Sequence, residues 1–456
     1  MDNNARRRAL EGNVRRFILF RLFYSARFYY PVFTVLFLDY GLTLEQFSIL
    51  NIVWALTIVG AEVPSGALAD IVGRKPLVVF AAALMVLEMG LILFAPMDSP
   101  TLLFLMFLGN RVCSGLSEAA ASGADEALTY DSLKALGREQ GWSALLERNA
   151  QVVAIGFSSA MIVGAFAYDP AVVNGLLATI NPDWSVSEAL VIRLPVALTF
   201  LTAIVCFLVA LGLYDLDREE SKAGVDLDQR AWNWSAIAAA FRQIRAAASW
   251  TLGHRFLLFV ILAALALDSV GRQFVILASE YWRAIDIPVS WFGFMGAGLS
   301  LLGIVNARIS RYLVNEHSPL TNFLALSAIL MTGLVGLAFA IPYWGALFAI
   351  GAFAMMSMVQ FLSSYYINRE VDSHRRATVL SFKGLALNLG LGLASLLYTA
   401  LVAGLRNDAG KARSEEQVFV ESLAAFPVYY LLLFLLLIIL GRALISDRER
   451  LFRKRG

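Results

Sequence analysis

Residues 66–75 read Gly66-Ala67-Leu68-Ala69-Asp70-Ile71-Val72-Gly73-Arg74-Lys75. This stretch joins two long apolar runs, 44–66 and 76–96. Glycine lets two helices approach closely and lets the chain turn tightly between them. A carboxylate at a helix mouth can face the positive N-terminus of another helix. Arg74 and Lys75 give the connection the positive charge that marks the inner side of a bilayer. The stretch is therefore a short charged connection between two membrane spans.

The chain on either side has the same character. Apolar runs of spanning length lie at 17–39, 44–66, 76–96, 101–127, 145–168, 189–213, 255–281, 290–313, 319–341, 345–367, 378–404 and 419–445, numbered runs 1–12 below. Of 456 residues, 59% are apolar and 16% charged, against about 25% charged in soluble domains. Mean hydropathy is +0.68. Too few polar residues remain to cover soluble surfaces, and the expected fold is an all-α integral membrane protein with twelve transmembrane helices. Run 1 is long, rich in Tyr and Phe and followed by no small-residue cleavage site, unlike a cleaved signal peptide. Basic residues are lopsided. The odd-numbered connections hold only Arg283, Arg406, Lys411 and Arg413, while the N-terminal tail, the even-numbered connections and the C-terminal tail hold most of the rest. That asymmetry places both termini in the cytoplasm and the protein in the cell (cytoplasmic or inner) membrane.

Other classes lack support. A net charge of +2 creates no global field for nucleic acid. Cys113 and Cys206 sit inside apolar runs without a CxxC pair, and His254, His317 and His374 occupy short polar connections. No catalytic constellation, metal-ligand cluster or phosphate loop is present in the sequence, so neither an enzyme nor a cofactor is expected.

The longest connection divides the runs six and six: an N-terminal bundle over 1–213, a central loop over 214–254 and a C-terminal bundle over 255–456. The loop opens "DLDREESKAGVDLDQR" and continues with Trp232, Ile237, Phe241 and Ile244 near helical spacing, Arg242 and Arg245 between them. This suits a helix on the inner membrane surface, or a tether between halves. The halves repeat at an offset of 245 residues: Ser65 falls on Ser310, Phe47 on Phe292 and Arg27 on Arg272. Two related bundles around a midplane site are the usual organisation of a secondary transporter.

The stretch 66–75 resembles the signature G-x-L-x-D-x-x-G-R-K of the major facilitator superfamily, and with the span count the resemblance covers essentially the whole chain. It implies two pseudo-symmetric six-helix bundles that transport a small-molecule substrate by alternating access, with a proton or counter-substrate as partner, as a monomer in the lipid bilayer. Gly66, Asp70, Gly73, Arg74 and Lys75 become the conformational motif. Asp70 would brace the outward-open state against the start of run 11 near Thr378 and Ser381. The repeat copy has Arg311 opposite Gly66 and Asn315 opposite Asp70, so such a brace is one-sided. Glu62-Val63-Pro64-Ser65-Gly66 and the stretch Ser122–Lys134 resemble a broad bacterial subgroup of the superfamily, most of whose members are described only as transporters.

Ionisable groups inside spans cost about 2.5–3.5 kcal/mol each and carry function or a paired structural role by default. Arg111, Gly115, Glu118, Ser122 and Asp125 share a face by 4-3-4-3 spacing. Arg111-x-x-Ser114-Gly115 resembles a degenerate form of the superfamily's R-x-x-Q-G motif, linked to proton coupling, so Arg111 is either a coupling residue or a bundle pair. Glu118 and Asp268 are the candidate proton carriers. Asp125 and Glu126 suit a salt bridge at the inner mouth. Arg27 lies mid-run 1, with Tyr24 and Tyr30 a turn either side. Run 7 carries Asp268 and Arg272 at i, i+4. Arg27 and Arg272, at repeat-equivalent positions, could hold an anion, which resembles the superfamily's organophosphate:phosphate antiporters. Alternatively Asp268 neutralises Arg272, and Glu62 or Glu88 neutralises Arg27. Gln360, Ser364 and Asn368 are placed to line the cavity, and Lys383 to reach the inner interface. The substrate-binding candidates are thus Arg27, Tyr30, Arg272 and Gln360.

A proton-antiport drug exporter is the alternative, opposed by a run 5 that has Gly156 and Gly164 but lacks the exporter motif G-x-x-x-G-P-x-x-G-G. A non-transporting receptor is the third reading. If Asp70 braces the inner mouth, Asp70→Asn shifts the population toward inward-open states. Cysteine accessibility at the outer mouth should fall, and unchanged accessibility contradicts the brace.

Overall fold

A computed structural model describes residues 3–214, 234–407 and 413–444. The acidic-basic opening of the central loop, Trp232, Lys411 and most of the C-terminal tail lie outside them. Among the described residues the chain is helical throughout, without strands. Ten helices are long and apolar enough to cross a membrane. The two runs that fall short do so for physical reasons. Run 4, the helix Pro100–Ala121, carries Asn110, Arg111 and Glu118. Run 1 is not one helix at all.

Run 1 breaks. The helix Asn3–Ser25 ends, a short turn follows, and the chain resumes as the segments Tyr30–Val32 and Phe33–Asp39. Pro31 explains the site of the break: it has no amide to donate and disfavours a helical residue before it. The freed backbone groups find partners nearby. Phe28 N–H donates to Thr199 Oγ1 at 3.0 Å and Thr202 Oγ1 donates to the Ala26 carbonyl at 3.4 Å. The Phe28 carbonyl lies where a Cβ on Gly164 would stand, so only glycine fits there.

Run 4 also departs from its expected stripe. The helix ends at Ala121, Gly123 takes φ 75°, and a new helix begins at Ala124. Asp125 therefore starts a second helix rather than extending the Arg111 face. Gly73, φ 96°, is the single residue between the helices Leu44–Val72 and Arg74–Leu93. The central loop forms a helix over Trp234–Gly253, with Phe241, Arg242 and Arg245 exposed.

The chain gathers into two compact units. The first comprises residues 1–32, 57–241 and 289–297, and the second 33–56, 242–288 and 298–456. In the first, Arg21 Nε holds Asp125 at 2.5 Å and its Nη2 holds Glu126 at 2.7 Å, the mouth salt bridge the sequence suggests. Arg193 donates to the Leu93 and Ala95 carbonyls at 2.6 and 2.8 Å, satisfying the C-terminal end of run 3.

In the second unit, Phe33–Asp39 packs on run 7, the helix Arg255–Ala284. Ser279 Oγ accepts from the Thr34 and Val35 amides at 2.9 and 3.2 Å, and Thr34 Oγ1 donates to the Ile276 carbonyl. Thr34 and Ser279 are 245 residues apart, the repeat offset, so two repeat-equivalent residues bond to each other. Arg283 joins Asp39 and the buried Glu280, each at 2.6 Å. Arg406 Nε and Nη2 grip Glu45 at 2.7 and 3.0 Å, and Nη2 also reaches Glu415 at 2.7 Å. Glu415 in turn accepts from the Leu44 amide at 3.2 Å.

Arg406 and its carboxylates are partly exposed, so the network is screened by salt and worth about 1 kcal/mol. Arg406→Ala should lower thermal stability by that amount in dilute buffer and by clearly less in concentrated salt. A deficit unaffected by salt contradicts the reading.

Candidate functional site

Each unit holds its own buried polar cluster in the span region. In the first unit the break in run 1 delivers Arg27 into the bundle, where it pairs with Glu88 of run 3. Arg27 is 5% exposed and Glu88 fully buried. The Arg27 guanidinium lies 5.4 Å from the Tyr24 ring centroid and 5.9 Å from that of Tyr30, within cation–π range. The Tyr24 and Ser117 hydroxyls bond at 2.8 Å, and Ser117 Oγ also reaches the Ala81 carbonyl at 2.8 Å. Asn110 Nδ2 donates to the Glu88 carbonyl at 2.7 Å. Asn110 Oδ1 accepts from Arg111 Nε and Nη2 at 2.8 and 2.6 Å. Runs 1, 3 and 4 are thus joined through one connected polar network. Glu118 and Tyr30 are exposed.

In the second unit Arg272 pairs with Asp268 one turn before it. Its Nη1 donates to Asn388 Oδ1 at 3.0 Å and its Nη2 to the Leu387 carbonyl at 2.8 Å. Its Nε is buried without a hydrogen-bond partner. Lys383 Nζ donates to Gln360 Oε1 at 3.1 Å, to Ser364 at 3.2 Å and to Ser363 at 3.4 Å. This cluster joins runs 7, 10 and 11.

Several sequence expectations meet their partners here. Of Glu62 and Glu88, it is Glu88 that pairs with Arg27. Asp268 and Arg272 pair as their spacing suggests. Gln360 and Ser364 are both turned to Lys383. Lys383 is turned into the bundle, where three oxygens of run 10 hold it, 6% exposed. In the 66–75 motif Arg74 pairs with Asp131 of the helix Ala124–Ala135, and Lys75 is half-buried. Gly66 is exposed, and a Cβ there would meet nothing within 4 Å, so no close approach requires it. The Asp70 side chain lies outside the described residues. Sequence reasoning missed Asn110, Ser117 and Asn388. Each is a lone polar side chain inside an apolar run, the one available signal, but nothing in the sequence names its partner. Among the described residues no three His, Cys, Asp or Glu gather where a metal could bind.

Ionisable pairs held inside bundles of long apolar helices fit a polytopic membrane protein. The sequence profile of the Major Facilitator Superfamily matches residues 17–395, and the chain belongs to that family. It is a multi-pass membrane protein and a transporter, not an enzyme. Solved structures share the fold. The nucleoside transporter NupG is 10% identical with a TM-score of 0.69, over 96% of this chain and 99% of that one. A bacterial homologue of the human lysosomal transporter Spinster is 15% identical with a TM-score of 0.64, over 98% and 99%. A D-xylose-proton symporter is 11% identical with a TM-score of 0.61, over 94% and 96%. A comparison with curated protein sequences gave no match.

Glu88→Gln strands Arg27 in an apolar interior and should cost about 3–5 kcal/mol of unfolding free energy, whereas Arg27→Met with Glu88→Leu should recover most of it. Denaturation of the purified variants measures both. A single-variant loss of only about 1 kcal/mol, the size of a surface pair, contradicts the pairing.

Proposed function

We propose that this chain is a secondary active transporter that moves a small organic solute, anionic in character, by alternating access of its two six-helix halves, coupled to a proton or to a counter-solute. The observation that carries the reading is the pairing of two repeat-equivalent arginines, Arg27 and Arg272, each with a buried carboxylate. Such pairs are costly within a bilayer and are kept where they do work. When Asp268 takes up a proton, Arg272 loses its counter-charge and can hold an anionic group instead; when the solute leaves, the proton follows. Arg27 with Tyr30 plays the matching part in the N-terminal half, and Arg111 and Glu118 supply the remaining coupling groups. Both termini face the cytoplasm, the helix Trp234–Gly253 lies on the inner membrane surface, and the protein works as a monomer in the cell membrane.

Thermal stabilisation of the purified protein tests this, with organic phosphates, carboxylates, sugars and lipophilic cations as ligands and Arg27→Ala and Arg272→Ala in parallel. Stabilisation by an anion class that both substitutions abolish is expected. Stabilisation by lipophilic cations that survives both moves drug export to first place and reduces the arginines to structural pairs.

A further inference from the structure

The mid-span charges of runs 7, 10 and 11 do not balance. Asp268 is met by Arg272. Lys383, also buried, makes its three hydrogen bonds to neutral oxygens, those of Gln360, Ser363 and Ser364, and among the described residues no carboxylate lies within ion-pair distance of it. The cluster therefore carries one cation more than it has anions. A buried ammonium hydrogen-bonded only to neutral groups is costly to desolvate, and Asp268, the carboxylate of this cluster, is already paired with Arg272. The Arg272 Nε–H, buried and unbonded, is a second unmet demand in the same cluster.

We infer that Lys383 is the recognition cation of an anion site formed with Gln360, Ser363 and Ser364, and that the solute it selects carries one negative charge, a carboxylate. With Asp268 ionised and paired with Arg272, a single negative charge matches the single excess, whereas a phosphate ester at about −1.5 to −2 overshoots it. Gln360 is the element that exchanges. It is exposed while Lys383 is not, and its Oε1 lies on the ammonium. A solute carboxylate takes the place of Gln360 Oε1 on the ammonium.

The inference rests on the transport reading and deepens it, so its test separates the two. The full-length purified protein is melted with matched probes, benzoate against benzamide and gluconate against glucose, in wild type, Lys383→Met and Lys383→Arg. A carboxylate should stabilise wild type while its neutral partner does not. Lys383→Arg should keep the effect, and Lys383→Met should weaken the apparent affinity at least about tenfold. Ligand-free Lys383→Met should melt at or above wild type, because an uncompensated buried charge is gone. Equal stabilisation by the neutral partners, no stabilisation by either carboxylate, or a ligand-free Lys383→Met that melts well below wild type overturns the site. Accumulation of the stabilising carboxylate in proteoliposomes is then measured. Binding without accumulation leaves the site standing and removes the transport reading. Accumulation that Lys383→Met leaves unaltered removes the site and leaves transport.

Discussion

An arginine cannot stay unpaired inside a bilayer, and much of this molecule is arranged around that constraint. Arg27 needs a counter-charge, supplied by Glu88 on run 3, and ring faces, supplied by Tyr24 and Tyr30. The Glu88 backbone carbonyl is itself held by Asn110, which also receives Arg111. Remove any of these and a desolvated group loses its partner, at a cost larger than most single apolar contacts contribute. The second unit solves the same problem with different residues. Asp268 lies on the same helix as Arg272, and Asn388 and the Leu387 carbonyl complete the guanidinium shell. The repeat preserved the arginine positions and let the carboxylates move.

The broken first run brings Arg27 to that position. Pro31 stops a continuous helix, and the non-helical turn before it frees backbone groups that Thr199 and Thr202 of run 6 satisfy, while Gly164 of run 5 leaves room for the Phe28 carbonyl. Beyond the break, Phe33–Asp39 belongs to the second unit, bonded through Thr34 and Ser279. The Thr34–Ser279 contact is buried, whereas Arg283–Asp39 and Arg406–Glu45–Glu415 are partly exposed ion pairs, individually weak because water and salt screen them.

The fold was legible because spanning length and charge asymmetry are local signals. The apolar runs, the charged turn at 66–75 and the 245-residue offset come straight from the order of residues. The turn role of Gly73 follows from its lack of a Cβ and appears as φ 96°. The breaks at Ala26–Tyr29 and at Ser122–Gly123 were less legible: hydrophobic content alone does not register where a helix is interrupted, although Pro31 and Gly123 were the cues. The site was legible by composition and opaque by partner. A buried charge in a run announces itself, but whether Arg27 meets Glu62 or Glu88 depends on helix rotation, which sequence spacing on one helix does not contain. Lys383 shows the limit best. Its position near the start of run 11 suggests escape to the interface, whereas its burial against the facing oxygens of run 10 is visible only in the fold.

If the buried pairs are retained for transport and not for stability, their joint removal abolishes exchange without unfolding the protein. The most direct test is solute counterflow in proteoliposomes by the Arg27→Met, Glu88→Leu double variant, using whichever solute stabilises the wild type most. The expected variant folds and inserts normally yet exchanges no solute above empty liposomes. Exchange at the wild-type rate would show that the pair is scaffold, and would contradict that expectation.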